Sequence, residues 1–128
     1  MLRRILVVDD DRNVRRSLAM GLRLGGFEVD EADGATAAHA LLEAHPAPDL
    51  ALIDLMLPEV SGLEIARWIH SRGFSTRIVL MSGYHLSDRQ VERANAGVAA
   101  FLPKPFRIDE VVRVCSDLLG DVSRRAVG

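Results

Sequence analysis

The sequence predicts an α/β fold in which a doubly wound parallel sheet of five strands lies between helices, in the order (βα)5. Three observations lead to this prediction: five short apolar runs, a helical pattern after each run, and glycine or proline at the boundaries. Strands that alternate with helices are typical of parallel sheets with right-handed crossovers. The 128 residues fit a single domain, with 1–120 as the folded unit and 121–128 as a short polar tail or the start of a linker.

The five apolar runs have the length and composition of strands. Continuous apolar strands are expected in a parallel sheet, because helices cover both of its faces. The second run differs, since apolar and acidic residues alternate in it, and this indicates an edge strand with one wetter face. The runs comprise residues 5–8, 27–31, 50–53, 78–81 and 99–102.

Apolar residues recur at helical spacing after each run, and a glycine or proline follows each helical segment. We expect Met20 to lie on the apolar stripe of the first helix, His70 on the apolar face of the third, and Cys115 in the core, on the apolar face of the last. The helices are expected at about 12–24, 35–44, 61–73, 87–97 and 108–120.

The composition excludes several classes of protein. The net charge is −2, from 16 basic and 18 acidic side chains, which argues against a domain that binds nucleic acid directly through a basic surface. A single cysteine cannot form an internal disulfide, and no apolar stretch approaches the length of a membrane span. We therefore expect a cytoplasmic protein that does not associate with membranes.

Polar side chains follow four of the five strands, at the edge of the sheet where parallel strands end and where such sheets bind their ligands. Asp54 is the most informative, because it ends the apolar run 50–53, and a buried carboxylate is costly unless it is paired or binds a metal. This edge is expected to carry Asp9, Asp10 and Asp11 after the first strand, Asp54 after the third, Ser82 and Gly83 after the fourth, and Lys104 between Pro103 and Pro105 after the fifth.

Taken one by one, these residues have simpler interpretations as helix caps, loop acids or turns, but together they suit a phosphoryl group. Crowded acids repel each other unless a cation is present, and Mg²⁺ prefers oxygen ligands and often binds together with phosphate. The Lys104 ammonium and the Ser82 hydroxyl supply positive charge and a hydrogen-bond donor for phosphoryl oxygens. Asp54 is then the expected nucleophile, because a carboxylate can accept a phosphoryl group as an acyl phosphate.

Four segments resemble the receiver domain of bacterial two-component response regulators. They are ILVVDDDRNVR, DLALIDLMLPEVSGLE, IVLMSGY and AFLPKPF, and they occur in that family's order and spacing. The resemblance covers residues 3 to about 120. It implies a flavodoxin-like or CheY-like sheet with strand order 2-1-3-4-5 and five helices.

The resemblance also implies roles for individual residues. Asp54 is implied as the phosphoacceptor and Lys104 as the cation that contacts the phosphoryl group, with a cis bond to Pro105. Asp11 continues the acidic stretch but is expected to supply negative charge to the N-terminus of the first helix rather than to bind metal. The implied ligands of Mg²⁺, or alternatively Mn²⁺, are Asp9, Asp10, Asp54 and the Met56 backbone carbonyl.

A switch is implied as well. On phosphorylation, the Ser82 hydroxyl would turn to the phosphoryl group and the Phe101 ring would move inward. The family often has Thr where Ser82 lies and Tyr where Phe101 lies. Because the Phe101 ring has no hydroxyl group, its preference for an inward or an outward position must come from packing alone. Gly83, Tyr84 and Pro105 are expected to flank the site, and the resemblance implies that Met56 and Tyr84 help to set the rate of phosphoryl loss.

The implied partners are those of a signalling protein that catalyses only its own phosphorylation and dephosphorylation. The phosphoryl donor is a sensor histidine kinase or a phosphotransfer protein. The output surface, made by the fourth helix, fifth strand and fifth helix, contacts a downstream protein or an output domain. The domain is expected to be a monomer or a homodimer whose formation phosphorylation promotes.

Two alternative functions remain at this stage. One is a Mg²⁺-dependent phosphohydrolase whose nucleophile, Asp9, follows the first strand; Asp9 and Asp11 resemble the haloacid dehalogenase signature, but Asn13 departs from it. The other is a degenerate receiver that acts as an interaction scaffold. The alternatives differ in whether an aspartate is phosphorylated, and in which one.

Overall fold

The computed structural model describes residues 2–44, 46–83 and 97–120, and in these it has five strands and four helices. The predicted helix over 87–97 lies outside the described residues, except for Gly97. The strands are β1 (Arg4–Val8), β2 (Glu28–Ala32), β3 (Leu50–Asp54), β4 (Arg77–Ser82) and β5 (Val98–Pro103). The helices are α1 (Arg12–Leu24), α2 (Ala35–Ala44), α3 (Gly62–Ser71) and α4 (Ile108–Leu119).

All four pairs of neighbouring strands are parallel, and the order across the sheet is β2-β1-β3-β4-β5. This confirms the predicted order, including the position of the partly acidic β2 at an edge. The order reverses at β1, because β2 lies on one side of it and β3 on the other. The carboxyl ends of β1 and β3 are therefore neighbours, which brings Asp9 close to Asp54.

The hydrophobic core lies in two layers, one on each face of the sheet. Side chains from β1, β3 and β4 that point to one face pack with α2 and α3, and those that point to the other face pack with α1 and α4. Every residue of β3 is buried, including Asp54. The continuous apolar runs of the sequence thus correspond to strands that helices cover on both faces.

Polar side chains cap the N-termini of two of the helices. The Asp11 carboxylate accepts hydrogen bonds from the backbone N–H groups of Asn13 and Val14, and the Ser61 hydroxyl accepts one from Leu63. Each bond satisfies a backbone donor that the first turn of a helix leaves unpaired. Asp11 is therefore an N-cap of α1, as its expected helix-terminal role requires.

Two expectations about helix faces were wrong. Met20 is 65% exposed on α1, and His70 is exposed on α3. The helix rotates by about 100° per residue, so Met20 faces solvent when Leu18 and Leu22 face the sheet. On α3 the buried position belongs instead to Ile65, which packs with Ala66 and Ile69.

None of the helices in the described residues is long and apolar enough to cross a membrane.

Cys115 is fully buried on the sheet side of α4, which confirms its predicted place in the core. Burial raises the pKa of its thiol to about 12. We expect Ellman's reagent at about pH 8 to leave the native thiol unmodified and to modify it fully in guanidinium chloride, because the thiolate is the nucleophile. Equal rates of modification in the native and the denatured protein would contradict this prediction.

Candidate functional site

The predicted site residues meet at the carboxyl end of the sheet. Val8 pairs with Ile53, and Asp54 pairs with Met81, so the loops after β1 and β3 leave the sheet side by side. Lys104 follows β5 directly, and its N–H donates a 2.7 Å hydrogen bond to the Ser82 carbonyl. Backbone pairing alone therefore brings together residues from four separate parts of the chain.

Three of the four expected carboxylates form one cluster. Carboxylate oxygens of Asp9, Asp10 and Asp54 all lie within 4.8 Å of one another. Asp9 is fully buried, Asp54 is 5% exposed, and Asp10 is exposed at the mouth of the cluster. Hard oxygen donors grouped in this way are the ligand set that Mg²⁺ prefers, so the residues fit such an ion.

Lys104 supplies the cation of the site. Its Nζ lies 3.2 Å from Asp9 Oδ2 and 3.5 Å from Asp54 Oδ2. Lys104 is the only lysine in the sequence, since the other basic side chains are arginines. The Lys104–Pro105 bond is cis, as the resemblance implies.

Asp9 is anchored through both its side chain and its backbone. Its Oδ1 accepts a 2.9 Å hydrogen bond from the N–H of Asp11, and its own N–H donates to the Ala32 carbonyl at 3.1 Å. The Asp9 carbonyl accepts a 2.9 Å hydrogen bond from the Arg15 guanidinium. The carboxylate is therefore held facing inward, with Oδ1 on the Asp11 N–H and Oδ2 on the Lys104 ammonium.

The buried charges shift two pKa values. Burial raises the pKa of Asp9, and the Asp54 charge adds to this, while the Asp11 N–H and the Lys104 ammonium oppose it. Burial alone would lower the pKa of Lys104, but the charges of Asp9 and Asp54 together outweigh it and raise that pKa. Lys104 is thus protonated at neutral pH, yet one ammonium does not offset the cost of the buried Asp9 charge, and a second cation would be favourable.

Asp54 is held by the turn that follows it. Its Oδ1 accepts a 3.1 Å hydrogen bond from the N–H of Met56, and the N–H of Leu55 donates to the Met81 carbonyl at 2.8 Å. The Met56 side chain itself points outward and is 54% exposed. The predicted metal ligand from Met56 is its backbone carbonyl, and an exposed side chain is compatible with that role.

Gly62 is a site residue that the sequence reasoning missed. A Cβ at this position would overlap the backbone carbonyl of Asp54 and would lie 3.0 Å from Ile53 Cγ2. The Gly62 N–H also donates a 2.8 Å hydrogen bond to the Leu55 carbonyl. The signal available in the sequence was a glycine, a poor helix former, at the first position of a helix.

The predicted switch and flanking residues are only partly described. Ser82 is fully buried at the end of β4, and Phe101 is half-buried on β5 beside the core layer that contains Ile78 and Leu80. Gly83 and Pro105 are exposed, and no described atom lies within 4 Å of the place that a Gly83 Cβ would occupy. Tyr84 lies outside the described residues.

A cleft of about 290 Å³ opens beside Asp10, between the loops that follow β1, β2 and β3. Its lining combines acidic side chains, including Asp33 and Glu59, with the apolar Leu57 and Val60. Asp10 is therefore accessible from this side, whereas Asp9 lies beneath it. The geometry leaves the carboxylate cluster open to a small ion or to a group that a partner presents.

Comparison with known proteins agrees with this geometry. The profile of the family described as "Response regulator receiver domain" matches residues 5–116. Response regulator MprA of Mycobacterium sp. (strain KMS) is 38% identical over 109 residues, which make up 85% of this chain and 47% of that protein. The chain thus spans about half the length of this relative.

Solved structures show the same fold. The response regulator receiver domain protein (CheY-like) from Methanospirillum hungatei JF-1 has a TM-score of 0.86 and 29% identity, and the match covers 98% of this chain and 99% of that chain. Response regulator protein TrrA from Thermotoga maritima, in complex with Mg²⁺-BeF, has a TM-score of 0.79 and 30% identity, with 91% and 99% covered. The sequence profile, the shared fold and the carboxylate cluster lead to one conclusion: the chain belongs to the response regulator receiver domain family.

Proposed function

We propose that the domain accepts a phosphoryl group on Asp54 from a phosphohistidine of a sensor histidine kinase or a phosphotransfer protein. The observation that carries this proposal is the place of Asp54, at the end of a buried strand, 3.5 Å from the only lysine and in one carboxylate cluster with Asp9 and Asp10. A buried acid with these neighbours is suited to nucleophilic attack on a phosphorus atom. On this proposal the chain is a signalling protein that catalyses only its own phosphorylation and dephosphorylation.

The proposed transfer is a single displacement at phosphorus. An Asp54 carboxylate oxygen forms a bond to phosphorus as the bond from phosphorus to the donor imidazole nitrogen breaks, and the electron pair stays on the imidazole. The Lys104 ammonium, already beside Asp54, neutralises charge on the phosphoryl oxygens. The N–H of Met56 keeps Asp54 Oδ1 oriented throughout.

The carboxylates of Asp9, Asp10 and Asp54, with the Met56 carbonyl, are the proposed ligands of Mg²⁺, with Mn²⁺ as an alternative. When bound, the ion supplies positive charge to the phosphoryl oxygens. Two observations support this assignment: the raised pKa of the buried Asp9, which indicates an unmet need for positive charge, and the Mg²⁺-BeF in the related TrrA. Asp9 and Asp54 also keep Lys104 in place, so the same carboxylates serve both cations.

The experiment that tests the proposal is intact mass spectrometry after incubation with acetyl phosphate, with and without Mg²⁺, on the parent and on Asp54→Asn. We expect a Mg²⁺-dependent gain of one phosphoryl group by the parent and none by Asp54→Asn, because the amide is not a nucleophile toward phosphorus. A gain that survives in Asp54→Asn would favour the strand-one nucleophile, Asp9. No gain by the parent would favour the scaffold alternative.

The proposed switch couples Asp54 to Phe101 through Ser82. Lys104 and Ser82 are joined by a backbone hydrogen bond, so a Ser82 hydroxyl drawn to the phosphoryl group also moves the end of β4 beside β5. The half-buried Phe101 ring, directly opposite Leu80 in the strand pairing, then has room to turn inward. We propose that this changes the surface of β5 and α4, together with the helix expected at 87–97.

Fluorine NMR on protein labelled with fluorophenylalanine tests the switch. We expect the Phe101 resonance to shift on addition of beryllofluoride and Mg²⁺, and the resonance of Phe27, which packs in the opposite core layer, to stay unchanged. A Phe101→Leu variant assigns the signal. A Phe101 resonance that moves no more than that of Phe27 would contradict the proposed rotation.

Family membership extends the proposal to partners. The surface of β5 and α4 is the proposed contact for a downstream protein or an output domain, in a monomer or in a homodimer that phosphorylation promotes. The folded unit is proposed to comprise residues 1–120, with 121–128 as a tail or linker, and a cytoplasmic location is part of the same proposal. MprA is about twice as long as the matched segment, which supports a contact with further domains.

A further inference from the structure

Arg15 lies on α1 with its side chain only 15% exposed, beside the end of β1. Its guanidinium makes two contacts of different kinds. One nitrogen, Nη1, donates a 2.9 Å hydrogen bond to the Asp9 carbonyl, and another, Nε, donates to Glu31 Oε1 at 3.3 Å. Arg15 thus joins the residue that ends β1 to the edge strand β2.

The hydrogen bond from Arg15 to the Asp9 carbonyl affects where the side chains of Asp9 and Asp10 point. That carbonyl belongs to the planar peptide group that leads into Asp10, so holding it fixes the rotation of the chain between the two acids. The Asp9 carboxylate has its own donors in Lys104 and the Asp11 N–H. Among the residues that the structure describes, none donates a hydrogen bond to the Asp10 carboxylate, so its direction depends on the backbone.

We propose that Arg15 is a positioning residue for the divalent cation site, an inference that rests on the proposed function. By holding the Asp9–Asp10 peptide, it turns Asp9 inward and Asp10 to the mouth of the cluster, where their oxygens meet that of Asp54. Removing a group that orients a metal ligand typically costs about 10- to 100-fold in metal affinity. Arg15 does so through the backbone and touches no carboxylate of the cluster.

The charge of Arg15 and its positioning role predict opposite changes in metal affinity when Arg15 is removed. A positive charge beside a cation site repels the cation, so on charge alone the removal of Arg15 would tighten metal binding. Glu31 neutralises much of that charge, and it also contacts Arg23 at 3.6 Å. Positioning predicts the opposite result, because the loss of the hydrogen bond frees the Asp9–Asp10 peptide.

The experiment is the titration of Mn²⁺ into the protein, with free Mn²⁺ measured by electron paramagnetic resonance, on the parent, Arg15→Gln and Arg16→Gln. Arg16 is the matched control, since it carries the same charge on the same helix but is exposed and has no hydrogen bond to Asp9. We expect Arg15→Gln to weaken Mn²⁺ binding by at least about tenfold. We expect Arg16→Gln to leave it unchanged or slightly tighter.

Arg15→Lys guards against loss of folding. Lysine keeps the charge on a single donor nitrogen but lacks the planar fork that contacts both partners, so we expect binding between that of the parent and that of Arg15→Gln. If Arg15→Gln does not fold, weaker binding by Arg15→Lys than by Arg16→Lys supports the inference. Binding by the folded Arg15 variants as tight as by the Arg16 variants overturns it. If the parent itself binds no Mn²⁺, the proposed function fails, and this inference with it.

Discussion

Replacing Lys104 with methionine is expected to slow phosphorylation of Asp54 by acetyl phosphate at least about 100-fold, the usual effect of removing one group that stabilises charge in a transition state. The ammonium lies 3.5 Å from Asp54 Oδ2, and the charges of Asp9 and Asp54 raise its pKa, so it is a permanent positive charge at the site of transfer. Methionine has nearly the same length without the charge. The time course of the phosphorylated fraction, followed by intact mass, gives the rate.

The control for Lys104→Met is Arg107→Met, which removes a positive charge three residues away. Arg107 is exposed, and its side chain is paired only with Asp109 among the described residues. We therefore expect the Arg107→Met variant to be phosphorylated at the rate of the parent. Lys104→Met should still bind Mn²⁺ at least as tightly as the parent, because it loses a competing cation. Phosphorylation of Lys104→Met at the parent's rate would remove Lys104 from the mechanism.

The single lysine also offers a direct measurement. Reductive methylation with ¹³C-formaldehyde labels only Lys104 and the N-terminal amine, so the Lys104 methyl signal reports on its ion pairs with Asp9 and Asp54. We expect this signal to shift when beryllofluoride and Mg²⁺ are added together. The same signal followed against pH would show directly that the pKa of Lys104 is raised.

Gly62→Ala is expected to lower the free energy of unfolding by about 1–3 kcal/mol, the usual cost of inserting a methyl group where there is no space for it. The added Cβ overlaps the Asp54 carbonyl, and backbone atoms of a central strand cannot move aside as a flexible side chain can. The start of α3 must therefore shift, and the Gly62–Leu55 hydrogen bond with it. Urea denaturation measures the loss of stability, and the acetyl phosphate assay measures the effect on Asp54.

Gly34→Ala is the matched control for Gly62→Ala. Gly34 directly precedes α2 and has no positive φ, and no atom of the described residues lies within 4 Å of its Cβ position, so alanine meets neither a clash nor strain there. We expect its stability to match or slightly exceed that of the parent, because alanine reduces the freedom of the unfolded chain. Equal stability of the two variants would show that α3 can shift at no cost.

The sequence predicted most of the fold because its signals are local. Apolar runs such as 50–53, with helical spacing and glycines between them, place each strand and helix of the described residues within a few residues of where it lies. The grouping of Asp9, Asp10 and Asp54 followed from the same alternation, because the strands of a parallel sheet with right-handed crossovers all end at one edge. The order of the strands across the sheet, 2-1-3-4-5, came from the resemblance to receiver domains.

Other features depend on contacts between distant segments, and only the tertiary structure decided them. Gly62 is required because α3 starts against the backbone of β3, and Arg15 reaches both Asp9 and Glu31 because β2 lies next to β1. The sequence by itself determined which groups gather at the end of the sheet. The packing of α1 and α3 against the strands decided how those groups are held, since the space around a backbone atom is set by neighbours that no local pattern encodes.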